Sequence, residues 1–73
     1  MPIILAPLNT KLRILKVNAD GNTKMHLESM GIAQNGSITV LSSSGGAVVC
    51  IVKDGRVALD SNLSTKILVT EDK

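Results

Sequence analysis

Alternating apolar and polar residues predict short β-strands along most of this chain. Five runs carry the pattern, and each is rich in the branched aliphatic residues that favour strands. The third run is almost unbroken in apolar character, which is typical of a central strand. We therefore predict a mainly β protein with strands at Lys11–Val17, 37–41, 47–53, 56–59 and 66–70.

The first strand presents apolar residues on both of its faces. Leu12 and Ile14 share one face, whereas Leu15 and Val17 share the other. Such a change of face within seven residues predicts a β-bulge or a strand that is buried on both sides. In the second strand the alternation is regular, and Ile38 marks the face that we expect to join the core.

Two turn-rich stretches separate the later strands. Residues 42–46, three serines and two glycines, are predicted to form a hairpin loop that does not continue the second strand. Asp54 and Gly55 form a dipeptide between apolar runs, and this pattern favours a tight hairpin because both turn positions require positive φ.

One helix is predicted, over residues 23–30. Leu27 and Met30 lie three residues apart on one side, and Gly31 can adopt the left-handed conformation that ends a helix. Ile32 then follows where a Schellman motif places an apolar contact with Leu27. A helix this short requires packing against the rest of the protein to be stable.

Polar residues that can cap helices precede two segments. Asn22 or Thr23 is expected to cap the predicted helix. Asp60 or Ser61 is expected to cap one short helical turn that reaches Leu63 and precedes the last strand. Five strands in mostly meander order, with these two insertions, predict a small SH3-like barrel forming a single domain over residues 1–73.

The composition excludes several classes of function. Phe, Tyr and Trp are all absent, and grooves for proline-rich peptides and platforms for single-stranded nucleic acid both depend on aromatic faces. The net charge is +2, and the basic residues are dispersed along the sequence. We therefore predict no nucleic-acid partner, although the pI of about 9.0 keeps a nucleic-acid-binding SH3-like module as an alternative.

The apolar segment 2–8 does not predict membrane insertion. It is interrupted by Pro7 and is far shorter than the roughly 20 residues of a spanning helix. We interpret it as a strand or as an arm pinned to the domain. Cys50 is the only cysteine, so an internal disulfide is impossible and a reducing compartment is expected.

The residues that could support metal binding or catalysis are few. Met25, His26, Glu28, Met30 and Cys50 include residue types that bind iron, but a non-haem ferrous site uses two histidines and a carboxylate, and this chain has one histidine. Cys50 lies within an apolar strand, where a cysteine usually behaves as a small hydrophobe. We predict no metal site, no cofactor and no catalytic residue.

A partner-binding surface is the remaining hypothesis. Met25 falls on the side of the helix away from Leu27, next to His26 and Ser29, and Leu41 is predicted to face outward from its strand. Flexible methionines suit adaptable protein contacts. Met25, His26, Ser29 and Leu41 are therefore our candidates for contact with a partner.

The order of these segments resembles the FeoA family over almost the whole chain. The resemblance rests on Leu-x-x-Met-Gly-Ile at 27–32, the glycine and strand at 36–41, a valine-rich hairpin, Val-Ala-Leu at 57–59 and Ile-Leu-Val at 67–69. The turn at 33–36 is one residue longer than is usual in the family and lacks its common proline. Residues 8–10 also replace a frequent Pro-Gly.

The resemblance carries expectations about function. FeoA proteins are small SH3-like barrels that assist the bacterial ferrous-iron transporter from the cytoplasmic side, and a related domain forms the carboxy-terminal module of iron-dependent repressors. The resemblance thus implies a cytoplasmic adaptor or regulator that contacts the cytoplasmic domain of a ferrous-iron transporter. The alternative in the same family context is a domain that binds or senses ferrous iron directly.

Overall fold

The computed structural model describes residues 1–53 and 55–72 and confirms the mainly β class. The helices are α1 (Gly21–Ser29) and α2 (Ser61–Ser64), with a 3-10 turn at Ile3–Leu5 before the first strand. The strands are β1 (Lys11–Val17), β2 (Ser37–Ser44), β3 (Ala47–Val52), β4 (Gly55–Leu59) and β5 (Ile67–Glu71). The short helical turn predicted before the last strand is thereby confirmed as α2.

All five strands belong to one antiparallel sheet in the order β4-β3-β2-β1-β5. β2, β3 and β4 form the predicted meander, and β1 pairs with β5 along most of its length. Across residues 1–53 and 55–72 no pairing joins β4 to β5, so the SH3-like sheet is not closed into a complete barrel.

The hairpin between β2 and β3 corrects one predicted boundary. β2 continues to Ser44, so the prediction that residues 42–44 belong to a loop is wrong. Ser44 pairs with Ala47 across the hairpin, because backbone pairing does not require apolar side chains where the strand is exposed. Gly45 and Gly46, with φ of 59° and 86°, make the two-residue turn. Of the predicted Asp54-Gly55 turn, Asp54 lies outside the described residues.

Two β-bulges interrupt the sheet. The register of β1 against β5 shifts between Ile14 and Lys16, which confirms the bulge that the change of face predicted. As a result Val17 is buried on the core side, whereas Leu15 is 40% exposed. A second register shift in β2 falls around Leu41, between the pairs that Val40 and Ser42 make with β3.

α1 begins two residues earlier than predicted because a different residue caps it. The Asp20 carboxylate accepts a hydrogen bond from the Thr23 N–H at 2.7 Å, so the predicted cap at Asn22 or Thr23 is wrong. Asp20 is extended, with ψ of 172°, and this backbone turns its carboxylate toward the first helical amides. The helix accordingly starts at Gly21.

The end of α1 is the predicted Schellman motif. Ile32 N–H donates to the Leu27 carbonyl at 2.9 Å, and Gly31 N–H donates to the Glu28 carbonyl at 3.0 Å, with Gly31 at φ of 89°. Leu27 and Ile32 are both fully buried, and Met30 packs against the core while remaining half-exposed. This apolar contact connects the helix to the sheet.

The core is built from aliphatic side chains and Cys50. Ile3 belongs to it, and Pro2 forms an isolated bridge with Leu68 of β5. The segment before β1 is therefore the pinned arm of the sequence interpretation, with a 3-10 turn and no strand. Besides Ile3 and Cys50 the fully buried side chains include Leu12, Ile14, Leu27, Ile32, Ile38, Val40, Val48, Leu59, Ile67 and Val69.

α2 supports the β2–β3 hairpin from outside the sheet. Asp60 caps it by accepting from the Leu63 N–H at 2.9 Å, which confirms one of the two expected caps. Ser64 is fully buried, and its hydroxyl donates to the Gly46 carbonyl. The hydrogen bond satisfies a polar group that would be costly to bury alone.

Candidate functional site

Three of the four predicted partner-binding residues lie together on α1. Met25, His26 and Ser29 are all exposed, and Met25 is 68% accessible. The Ser29 hydroxyl donates to the His26 carbonyl at 2.6 Å. Leu27 is the only fully buried residue of α1, and apart from the half-buried Thr23 the other residues of the helix are exposed. We call Met25, His26 and Ser29 the helix surface.

Leu41 does not share a secondary-structure element with the helix surface. It is half-buried in β2, at the second bulge. α1 and β2 do not pack extensively against each other within the described chain. The four sequence candidates therefore divide into a helical group of three and one separate strand residue.

Cys50 is a buried core residue, as predicted. Burial disfavours the thiolate and raises the pKa of Cys50 from its ordinary value of 9.0 to about 11. The thiol is consequently protonated at neutral pH, whereas nucleophilic attack and metal binding both require the thiolate. His26 lies exposed on α1, so the structure does not form a cysteine–histidine pair from these residues.

Residues 1–53 and 55–72 contain no group of three or more His, Cys, Asp or Glu side chains placed to hold a metal ion. In the same part of the chain, no helix combines the length and apolar character needed to cross a membrane.

A groove that the sequence analysis missed lies where β1, β2 and β3 meet the loop after α1. Its volume is about 570 Å³, within the usual range for ligand pockets. Ile51, which is exposed, supplies its accessible apolar surface, whereas Ile38 and Val52 are buried beneath it in the core, and two lysines are among its lining residues. The lining residues are Lys11, Gly31, Gly36, Ser37, Ile38, Thr39, Ile51, Val52 and Lys53.

Basic residues surround this groove although they are dispersed in the sequence. Lys11 pairs with Thr39, Thr39 with Ile51, and Ile51 with Arg56, so these four residues form one row across four strands. Arg13 lies two residues beyond Lys11 on the same outward face. Lys53 lies two residues beyond Ile51 and lines the groove. We call Lys11, Arg13, Lys53 and Arg56 the basic rim.

The basic rim is not apparent from the sequence because its residues do not form a run of like charge. Antiparallel pairing brings together positions that are far apart along the chain. The available signal was alternation: Lys11 and Arg13 occupy every second position of one strand, and Lys53 and Arg56 flank a hairpin turn. Recognising the cluster required the strand register, which the sequence does not specify.

One acidic residue already contacts the basic rim. Lys11 Nζ lies 3.8 Å from Asp72 Oδ2, and the Asp72 N–H donates to the Lys11 carbonyl at 3.0 Å. This is the one ion pair among residues 1–53 and 55–72. The lysine side chain is 66% exposed, so the pair stabilises the fold only weakly.

The family assignment follows from comparison with known proteins. The family model for the FeoA domain matches residues 1–71. The chain belongs to the FeoA family. This confirms the resemblance noted in the sequence and associates the chain with ferrous-iron transport. No curated protein matches the chain.

Solved structures of FeoA proteins share the fold. A crystal structure described as an iron uptake regulatory protein (FeoA) has a TM-score of 0.87 at 22% identity, covering 99% of this chain and 97% of that one. The solution structure of a FeoA protein from Chlorobium tepidum has a TM-score of 0.85 at 13% identity, covering 100% of this chain and 71% of that one.

The fold also occurs within a longer regulatory protein. A manganese-dependent transcriptional repressor has a TM-score of 0.86 at 17% identity. The match covers 99% of this chain but 41% of the repressor. The fold is therefore shared by iron-uptake proteins and by a domain of a metal-dependent repressor.

Proposed function

We propose that this chain is a small cytoplasmic adaptor that docks on the cytoplasmic domain of a ferrous-iron transporter. Docking changes the assembly or activity of the transporter by protein contact, without chemistry performed by the adaptor itself. The observation that carries the proposal is the FeoA family match over residues 1–71.

The environment of the reactive side chains is consistent with this role. The Cys50 thiol is buried with a raised pKa, and His26 is exposed on a helix that contributes one fully buried residue to the core. By contrast, the helix surface offers Met25, an adaptable apolar side chain that is 68% exposed. A protein contact requires only such a surface, supported by a rigid fold.

An NMR titration tests the proposal. Isotope-labelled protein is titrated with the soluble cytoplasmic domain of the ferrous-iron transporter from the same cell, and separately with ferrous iron under anaerobic conditions. Localised shifts with the transporter domain and none with iron are expected. Absence of shifts with the transporter domain would contradict docking on that domain, and broadening around His26 with iron alone would favour direct iron binding.

A matched pair of variants tests whether the helix surface takes part. Met25→Glu places a charge on α1, whereas Leu5→Glu places the same charge on an apolar residue of nearly equal exposure, 69% against 68%. We expect Met25→Glu to weaken binding of the transporter domain by about tenfold and Leu5→Glu to leave it nearly unchanged. Equal losses in the two variants would exclude a specific role for Met25.

A further inference from the structure

We propose that the groove and its basic rim form a second binding site, for an acidic extended segment of a partner protein that carries one aliphatic anchor. The inference concerns a surface distinct from the helix surface and stands independently of which protein supplies the segment. It rests on the juxtaposition of an exposed isoleucine with cations from two strands, β1 and β4, and from the hairpin end.

The centre of the site is Ile51. Its side chain is 43% exposed on the outward face of a central strand, directly between Thr39 and Arg56 in the sheet. A large aliphatic side chain in this position loses contact with water when a partner covers it, and the favourable binding free energy that results scales with the apolar area buried. The partner must therefore present an apolar group here.

Charges around Ile51 define the rest of the partner. Neighbouring strands lie about 4.8 Å apart, so Arg56 is one strand from Ile51 and Lys11 is two strands away on the other side. Lys53 lies two residues beyond Ile51, just past the end of β3, at roughly 7 Å. Cations on three sides of one apolar side chain are complementary to an aliphatic residue flanked by carboxylates.

Asp72 shows that a carboxylate approaches one cation of the basic rim. Its carboxylate lies 3.8 Å from Lys11 at one side of the groove, while its backbone continues the pairing of β5 with β1. An acidic side chain carried on an extended backbone thus lies beside Lys11, on the β5 side of β1. Since it also screens one cation of the rim, its removal is expected to strengthen binding of an acidic segment.

A protein segment fits the site better than nucleic acid does. Phosphate contacts would use the cations but would leave Ile51 without an apolar partner. Binding of single-stranded nucleic acid relies on stacking against aromatic side chains, and this chain has no Phe, Tyr or Trp. The exposed Ile51 side chain and the hydroxyls of Ser37 and Thr39 suit a peptide that combines apolar and acidic groups.

The test uses defined probes. The acidic probe is a capped peptide of about nine residues with one leucine between two blocks of glutamates, which spans roughly 30 Å when extended, comparable to the 29 Å length of the domain. Its controls are the same peptide with glycine in place of leucine, the lysine analogue, and a single-stranded oligonucleotide. Binding is followed by NMR shifts of the labelled full chain at low and physiological salt.

We expect the acidic probe to shift Ser37, Thr39 and Ile51, and the glycine control to bind about tenfold more weakly. Lys53→Glu should weaken binding by about tenfold, whereas Lys24→Glu, the same charge change on α1, should change it less than about twofold. Asp72→Asn should strengthen it about twofold. Ile51→Ser should weaken binding without any change in charge.

Three results would overturn the site. The first is the absence of localised NMR shifts at about millimolar acidic probe, a concentration at which even weak binding is detected. The second is an equal loss of affinity for the acidic probe in Lys24→Glu and Lys53→Glu. The third is tighter binding of the oligonucleotide than of the acidic probe. Titration with the transporter domain separates this inference from the proposed function. If the transporter domain still binds the Lys53→Glu and Ile51→Ser variants normally, the adaptor role is supported but uses another surface.

Discussion

Burial changes the acid–base chemistry of Cys50. It is fully buried in β3 and pairs with Val40 and Val57 in the neighbouring strands. Its position in an apolar run was sufficient to predict that it behaves as a small hydrophobe. The pKa of about 11 adds a consequence that the sequence alone does not quantify.

We predict that Cys50 makes the protein sensitive to alkali. Because the pKa is raised in the folded state, the stability contributed by the neutral thiol is complete below pH 9 and is lost as the pH rises toward 11. The loss in the free energy of unfolding that is due to the Cys50 thiol totals about 2 to 3 kcal/mol. Urea unfolding of wild type and Cys50→Ala between pH 8 and pH 11 should show this additional slope only in wild type, since lysine titration is common to both.

Asp20 gives the opposite dependence on pH. The backbone hydrogen bond from Thr23 holds the pKa of Asp20 below its usual value of 3.8. Its contribution is therefore present above pH 3.8 and is lost as the pH falls through the lower pKa of the folded protein.

We predict that Asp20→Ala lowers the melting temperature at neutral pH because α1 loses its cap. Asp20→Asn should have a melting temperature close to that of wild type at neutral pH, since an amide oxygen also accepts from the Thr23 N–H. It should lack the part of the decrease at low pH that is due to protonation of Asp20. Calorimetry from pH 2 to pH 7 measures both effects. A melting temperature that changes equally in the two variants would indicate that capping is not the cause.

Among the elements, the β2–β3 hairpin is where prediction and structure differ most instructively. Three serines suggested a loop, yet the strand continues because the two glycines that follow supply the positive φ of a tight turn. Composition did not determine the length of the turn. The close approach of α2 to Gly46, which follows from the tertiary fold, could not be derived from the local sequence.

The two glycines of this hairpin should differ in their tolerance of substitution. A Cβ at Gly46 would lie 2.9 Å from Ser61 Cβ, whereas a Cβ at Gly45 meets nothing within 4 Å. Gly45→Ala should cost about 1 to 2 kcal/mol for its left-handed backbone, and Gly46→Ala should cost more because α2 must also move. Denaturant unfolding measures the difference, and equal losses would show that α2 exerts no steric constraint.

In the whole molecule, features with local causes were predicted from the sequence, whereas long-range contacts such as the one between Pro2 and β5 were not. The fold class, the existence of α1, its Schellman ending and the bulge in β1 all followed from sequence patterns with local causes. The basic rim, the capping role of Asp20 and the bridge between Pro2 and Leu68 did not. Each depends on a strand register, a helix start or a long-range contact that several arrangements of the same sequence would satisfy.

Residues near the beginning of the chain should therefore contribute to global stability. Ile3 is fully buried against the core, whereas Leu5, two residues later, is 69% exposed. We expect Ile3→Ala to lower the free energy of unfolding by about 2 to 5 kcal/mol and Leu5→Ala to change it by less than about 0.5 kcal/mol. Circular dichroism follows the unfolding, and a small loss in Ile3→Ala would show that the arm is not part of the cooperative unit.

The pairing of β1 with β5 is also expected to limit the folding rate of the domain. β2, β3 and β4 join through short connections, but Val17 meets Ile67 only after about 50 intervening residues have been brought together. The entropy of closing that long segment must be lost before its contacts form, and such non-local pairing slows folding. The meander is therefore expected to form in the transition state, and docking of β5 to complete the native structure afterwards.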